Sequence, residues 1–129
     1  MSVPPAATAY LGPAALVGGM DGADLAREYY RAIDDGDYDA LAAALAGGFV
    51  HRRPDTTIEG RGEFVAFMRS GRPETDTEHA IEAVYTTGGE DRVAAEGRLV
   101  RGDGSEWFRF VDVFTVGDGR IRSLRTYTD

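Results

Sequence analysis

The stretch Glu106-Trp107-Phe108-Arg109-Phe110-Val111-Asp112-Val113-Phe114-Thr115-Val116 decides how this chain folds, and Gly-Asp-Gly triplets at 102–104 and 117–119 bound it on both sides. Side chains of a strand alternate between faces, so Phe108, Phe110, Asp112, Phe114 and Val116 share one face. Trp107, Arg109, Val111, Val113 and Thr115 share the other. One acid therefore stands in the middle of an apolar stripe. Burial removes water from the ionised carboxyl, which raises its pKa and makes Asp112 a candidate acid, base or hydrogen-bond donor.

Working outward, the C-terminal half reads as strands at Glu78–Thr87, Arg92–Arg101, Ser105–Val116 and Arg120–Thr128. Gly88-Gly89 and the two Gly-Asp-Gly triplets separate them, and both residue types accept the positive φ of tight turns. The pattern predicts a four-stranded antiparallel meander. Upstream, Leu25, Tyr29 and Ile33 recur every four residues and predict a helix at 23–35, stopped by Gly36. Asp37 is the expected N-cap of a second helix, with Leu41 and Leu45 on its packed face and Gly47-Gly48 as its end. Phe49–Arg53 reads as a short strand, Pro54-Asp55 as a turn and Thr56–Glu59 as an extended return. A third helix is expected at 61–69, where Phe64, Phe67 and Met68 form a core-facing set. Helices followed by a meander make an α+β fold, with the helices over one concave face of a curved sheet.

Composition narrows the function classes. At 129 residues and 43% hydrophobic content, the chain is one globular domain, expected at 21–129. Residues 1–20 are read as an N-terminal arm, loosely ordered or docked through Tyr10, Leu11 and Leu16. They show neither a secretory signal nor a membrane span. The 14 basic residues are all Arg, against 22 acidic ones and a net charge of -8. Such a surface repels nucleic acid and anionic membrane, and acid excess without Lys points to a salt-rich cytoplasm. With no Cys, thiolate metal sites and thiol nucleophiles are excluded. No phosphate-binding glycine loop or serine elbow is present, and two distant histidines offer no metal-ligand motif, so no cofactor or metal is expected.

The order of elements and several local strings resemble the SnoaL-like, ketosteroid-isomerase-like branch of the nuclear transport factor 2-like superfamily. The strings are Tyr29-Tyr30-Arg31-Ala32-Ile33-Asp34-Asp35-Gly36-Asp37, Ile58-Glu59-Gly60-Arg61, Phe110-Val111-Asp112-Val113-Phe114, and Asp118-Gly119-Arg120-Ile121 with Leu124-Arg125-Thr126-Tyr127. The resemblance covers about residues 23–128. It implies a cone-shaped fold around a pocket for a small molecule. It also implies Tyr29 at the position of an oxyanion-binding Tyr and Asp112 at that of a protonated Asp, the pair that ketosteroid isomerase uses with a separate Asp base. At that base position stands Arg53, which cannot accept a proton. In SnoaL-like cyclases the resemblance implies that one acid on the sheet suffices.

His51 lies on the same strand face as Arg53 and is the candidate replacement base, while His79 reads as a satisfied core histidine or a dimer contact. Small residues Val93, Ala95 and Gly97 beside Leu99 leave room for a hollow lined by Phe108, Phe110 and Phe114, with Leu99 and Leu124 completing the lining. Arg52 and Arg53 at its mouth favour an anionic or carbonyl-rich apolar ligand. Two functions follow: a ligand-binding module, or an acid–base isomerase, cyclase or hydratase using Asp112 and Tyr29 with His51 or Arg53 assisting. An epoxide hydrolase would need an Asp-Arg-Asp network, for which only Asp112 and Arg109 on opposite faces are visible. Trp107, Val111 and Val113 on the outer face predict a homodimer.

Overall fold

The computed structural model describes residues 20–89 and 91–129. The expected arm therefore lies outside the described residues except for Met20, which packs against the core. Helix α1 spans Gly22–Asp35; the Asp21 carboxylate accepts from the Asp24 N–H at its start, and Gly36 closes it at φ 69°. Its buried face is wider than the predicted stripe, because Ala26 and Tyr30 form a second row beside Leu25, Tyr29 and Ile33. Helix α2, Tyr38–Ala44, is capped by Asp37 as expected. It ends at Ala44 rather than at the glycine pair. Leu45 is fully buried and already paired with Ile121, so the chain passes straight into strand β1, Leu45–Arg52. Gly47 and Gly48 lie in the register break of that strand between Leu45 and Val50.

Strand β2, Thr57–Glu59, returns antiparallel to β1 and leads into helix α3, Arg61–Ala66, which relaxes into one π-helical turn at Phe67–Gly71. Strands β3 (Thr77–Thr86), β4 (Arg92–Arg101), β5 (Glu106–Gly117) and β6 (Arg120–Thr128) form the expected meander. Among the described residues the sheet has six strands in the order β2-β1-β6-β5-β4-β3, and β1 runs parallel to β6. The three helices pack on one sheet face around Leu25, Ile33, Leu41, Phe49, Phe64 and Phe114, all buried. That is the α+β architecture read from the sequence. No helix among the described residues is long and apolar enough to cross a membrane.

One irregularity shapes the inner face. The register of β3 shifts between Ile81 and Ala83, a bulge that switches strand parity. His79 therefore pairs with inward-facing Leu99, whereas Tyr85 pairs with Ala94 and stands 57% exposed outside. Simple strand alternation would put His79, Ile81, Ala83 and Tyr85 on one face, and it fails at this bulge. Gly97 opposes it, and a Cβ there would lie 2.3 Å from the Ala80 carbonyl oxygen. Backbone on both sides would have to shift. Gly97→Ala is accordingly expected to destabilise the fold by about 1–3 kcal/mol, read as a lower denaturation midpoint in urea.

Candidate functional site

Asp112 is turned inward from the middle of β5 and is 5% exposed. Its carboxyl meets two neutral donors: the Tyr30 hydroxyl donates to Oδ2 at 2.7 Å and the Thr126 hydroxyl to Oδ1 at 2.5 Å. Burial raises the Asp112 pKa, and these two hydrogen bonds oppose the shift by stabilising the carboxylate. The donor is Tyr30, not Tyr29. Both lie on the buried face of α1, but the rows they occupy are rotated by about 100°. Tyr29 packs edge-on against Phe114, and its hydroxyl has no partner among the described residues. Burial first, then the nearby Asp112, raises its pKa, while Arg53 and Arg72 pull it down.

His51 extends the same chain of hydrogen bonds. Its Nε2 lies 2.8 Å from the Thr126 hydroxyl oxygen, whose own proton goes to Asp112. With Thr126 oriented this way, the neutral ring donates from Nε2 and keeps its lone pair on Nδ1, a buried atom without a partner. Burial and then the positive charge of Arg53 push the His51 pKa down to about 3. It is 4% exposed and holds an uncharged ring at neutral pH.

A second histidine converges on the same region. His79 Nδ1 lies 2.7 Å from Asp34 Oδ1, and the His79 backbone N–H donates to Asp34 Oδ2 at 3.0 Å. A carboxylate oxygen accepts, so Nδ1 is the donor here, and in the tautomer this selects the ring's other nitrogen, Nε2, carries the lone pair. The ring packs on Tyr30 and Phe110 with centroids 5.0 and 5.8 Å away. This is the satisfied histidine read from the sequence; the partner, Asp34, was not named there, being 45 positions distant at the far end of α1.

Of these groups, Tyr29, His51, His79, Asp112 and Thr126 border one hollow of about 110 Å³. Tyr29, His51, Arg53, Leu99, Phe108, Phe110 and Asp112, all singled out in the sequence, line it. Phe114 and Leu124 do not; both are closed into the core, Phe114 between Tyr29 and Tyr30. Arg52 is exposed and outside the lining. The lining also includes Ile33, Met68, Arg72, His79 and Thr126. Thr126 was within reach of sequence logic, since it shares parity with Leu124 and sits directly opposite Asp112 on the neighbouring strand. A larger hollow of about 310 Å³ by Arg109, Val111 and Tyr127 lies on the outer face and has no buried titratable group.

Residues 26–124 match the family model for the SnoaL-like domain. Among solved structures, the chain is similar to an NTF2-like protein of unknown function from Cytophaga hutchinsonii at TM-score 0.73 and 18% identity, over 85% of this chain and 91% of that one. It is also similar to a candidate ketosteroid isomerase from Kribbella flavida at 0.70 and 22%, over 84% and 77%. An LEH-like epoxide hydrolase of M. tuberculosis gives 0.72 and 24%, over 84% and 82%. At these identities the likeness shows the fold alone. No curated protein matches. Among the described residues, no arginine lies between two acids in the hollow; Arg109 pairs with Glu82 on the outer face.

The depressed His51 pKa has a stability consequence. Below about pH 6.5 the unfolded chain takes up a proton on this histidine that the folded chain refuses until about pH 3. Stability due to this group is therefore complete above pH 6.5. It falls by up to about 1.4 kcal/mol for each pH unit below that, down to the folded value. His51→Gln is expected to flatten the stability profile between pH 6 and 4, and the His51 ring resonances of the wild type should stay unshifted down to about pH 4.

Proposed function

The chain belongs to the SnoaL-like domain family, and we propose that its inner hollow takes a small, largely apolar molecule bearing a carbonyl or an anionic oxygen and moves a proton on it. The observation that carries this reading is a buried carboxyl, Asp112, in the wall of the same hollow as His79, whose tautomer Asp34 fixes. In this reading each group has a part. His79 Nε2 removes a proton from carbon next to the carbonyl; the C–H electron pair moves to the carbonyl oxygen, where the Tyr29 hydroxyl donates a hydrogen bond. Asp112 then gives a proton to a second carbon or to the oxygen, which completes an isomerisation, and the proton held by His79 returns to Asp112 through solvent. His79 takes the place of the base that Arg53 cannot supply. His51, uncharged and bonded to Thr126, positions the Asp112 network.

The volume limits the substrate. About 110 Å³ is well below the roughly 300–1,000 Å³ of sites that enclose drug-sized ligands, so the fit is to a short chain or a single ring. A binding role without turnover is favoured by one observation, that both Asp112 oxygens already hold hydrogen bonds. Solvent deuterium exchange into 2-butanone and 2-oxobutanoate, followed by NMR in concentrated salt, separates the two. The wild type should exchange their hydrogens, and Asp112→Asn and His79→Gln should each lose about 10²-fold or more. Absence of exchange in the wild type overturns the catalytic role.

The lysine-free composition and net charge of -8 support a salt-rich cytoplasmic setting. We further propose that two copies pair through the outer sheet face, where Tyr85, Val111 and Tyr127 are exposed beside Trp107 and Val113. An exposed apolar strip beside the Arg109–Glu82 pair favours cover by a second copy. Light scattering in high salt should give the mass of a dimer, and a monomer at all concentrations would remove this pairing.

A further inference from the structure

The geometry points to a carboxylate on the ligand, received in the hollow by Arg53 and Arg72. This rests on the small-molecule site proposed above and names the class of molecule it takes: short-chain carboxylic acids carrying a carbonyl or a double bond.

Both arginines line the hollow and both are half-buried. Arg53 follows β1, with its guanidinium carbon 4.9 Å from the centre of the Phe67 ring and its Nε buried without a partner. Arg72 leaves the π-helical turn; its Nε donates to the Met68 carbonyl at 2.9 Å and one terminal nitrogen to the Thr77 hydroxyl at 3.4 Å. That fixes the side chain while leaving the other terminal nitrogen unused among the described residues. Neither makes an ion pair among the described residues, although Arg31, Arg98, Arg101, Arg109 and Arg122 all do. Residues 1–19 contain no Asp or Glu, so that segment has no side-chain carboxylate to offer them.

A guanidinium taken partly out of water without a counter-ion is unfavourable, and an arriving carboxylate relieves it with strong, charge-assisted hydrogen bonds. The two charges also act at one place. Both bear on the Tyr29 phenol, whose hydroxyl is itself without a partner among the described residues. Two guanidiniums and one hydroxyl thus border the same hollow. Asp112 makes no ion pair with either arginine among the described residues; its oxygens accept from Tyr30 and Thr126 instead. Leu99, Phe108 and Phe110 leave an apolar slot for the chain, and the small volume restricts it to a few carbons.

The test compares ligands of equal size and different charge by calorimetry at constant ionic strength: butanoate and 2-oxobutanoate against butanamide and 2-butanone. The acids should bind at least about tenfold more tightly than the neutral analogues to the wild type, a comparison that needs no variant to fold. Arg53→Gln and Arg72→Gln should each weaken acid binding tenfold or more and leave the neutral compounds unchanged, whereas exposed Arg52→Gln should change nothing. Equal binding of acids and neutral analogues by the wild type overturns the inference. So does acid binding that survives both substitutions. Exchange of 2-butanone without any preference for acids would sink the carboxylate and keep the acid–base site, while acid preference without exchange would do the reverse.

Discussion

The hydrogen bonds that Tyr30 and Thr126 make to the Asp112 carboxyl join three elements at one buried point: helix α1, strand β5 and strand β6. Taking a carboxylate out of water costs several kcal/mol, whereas each hydrogen bond to a charged group returns about 1.5–3 kcal/mol. The hydrogen bonds offset only part of the cost of burial. That is why the Asp112 pKa is raised by burial and yet pulled back by its two partners. The Tyr30 bond also sets the position of α1 over the sheet, because any slide of the helix along its axis would withdraw the Tyr30 hydroxyl and leave the acid half satisfied.

The sheet beside this point is irregular. The bulge in β3 and the absence of a side chain at Gly97 let two strands approach closely, so the backbone occupies space that a side chain would otherwise fill. The same bulge brings His79 inside. Once inside, the ring is captured by Asp34 at the end of α1, so the helix supplies Tyr29, Tyr30 and Asp34 to one region over two turns. A hydrogen bond from Nδ1 to a carboxylate does more than hold the ring. It decides which nitrogen can take a proton.

Strand alternation was enough to place Asp112 inward among phenylalanines, and the turn residues were enough to mark the meander. Neither determines how one strand is registered on the next. Thr126 opposite Asp112, the parity switch at Ile81–Ala83 and the parallel pairing of β1 with β6 are all register facts. The Tyr29 and Tyr30 exchange has a different origin. A helix with two buried rows presents two adjacent tyrosines to the core, and only the distance to Asp112 distinguishes them. Likewise, a four-residue spacing pattern identified α1 but gave no reason to connect Asp34 with a histidine in a strand. Leu45 shows the limit for boundaries: its helical spacing with Leu41 was real, yet burial and pairing with Ile121 took it into the sheet.

One arrangement in the hollow explains why opposite charges coexist there without cancelling. Arg53 and Arg72 share the lining with Asp112, and a direct ion pair between them would satisfy both sides at once. It would also remove a proton-exchanging acid and an anion-binding cation together. The chain instead satisfies Asp112 with neutral hydroxyls and Arg72 with a carbonyl and a hydroxyl, so each group keeps its own character. The net charge of -8 does not prevent an anion from reaching them, because charges on the outer surface are screened within about 10 Å at moderate salt and within about 3 Å at 1 M. Partly buried groups in a hollow are screened far less. In concentrated salt, then, the distant acidic surface becomes nearly invisible to an entering molecule, and the field it meets is that of the two arginines.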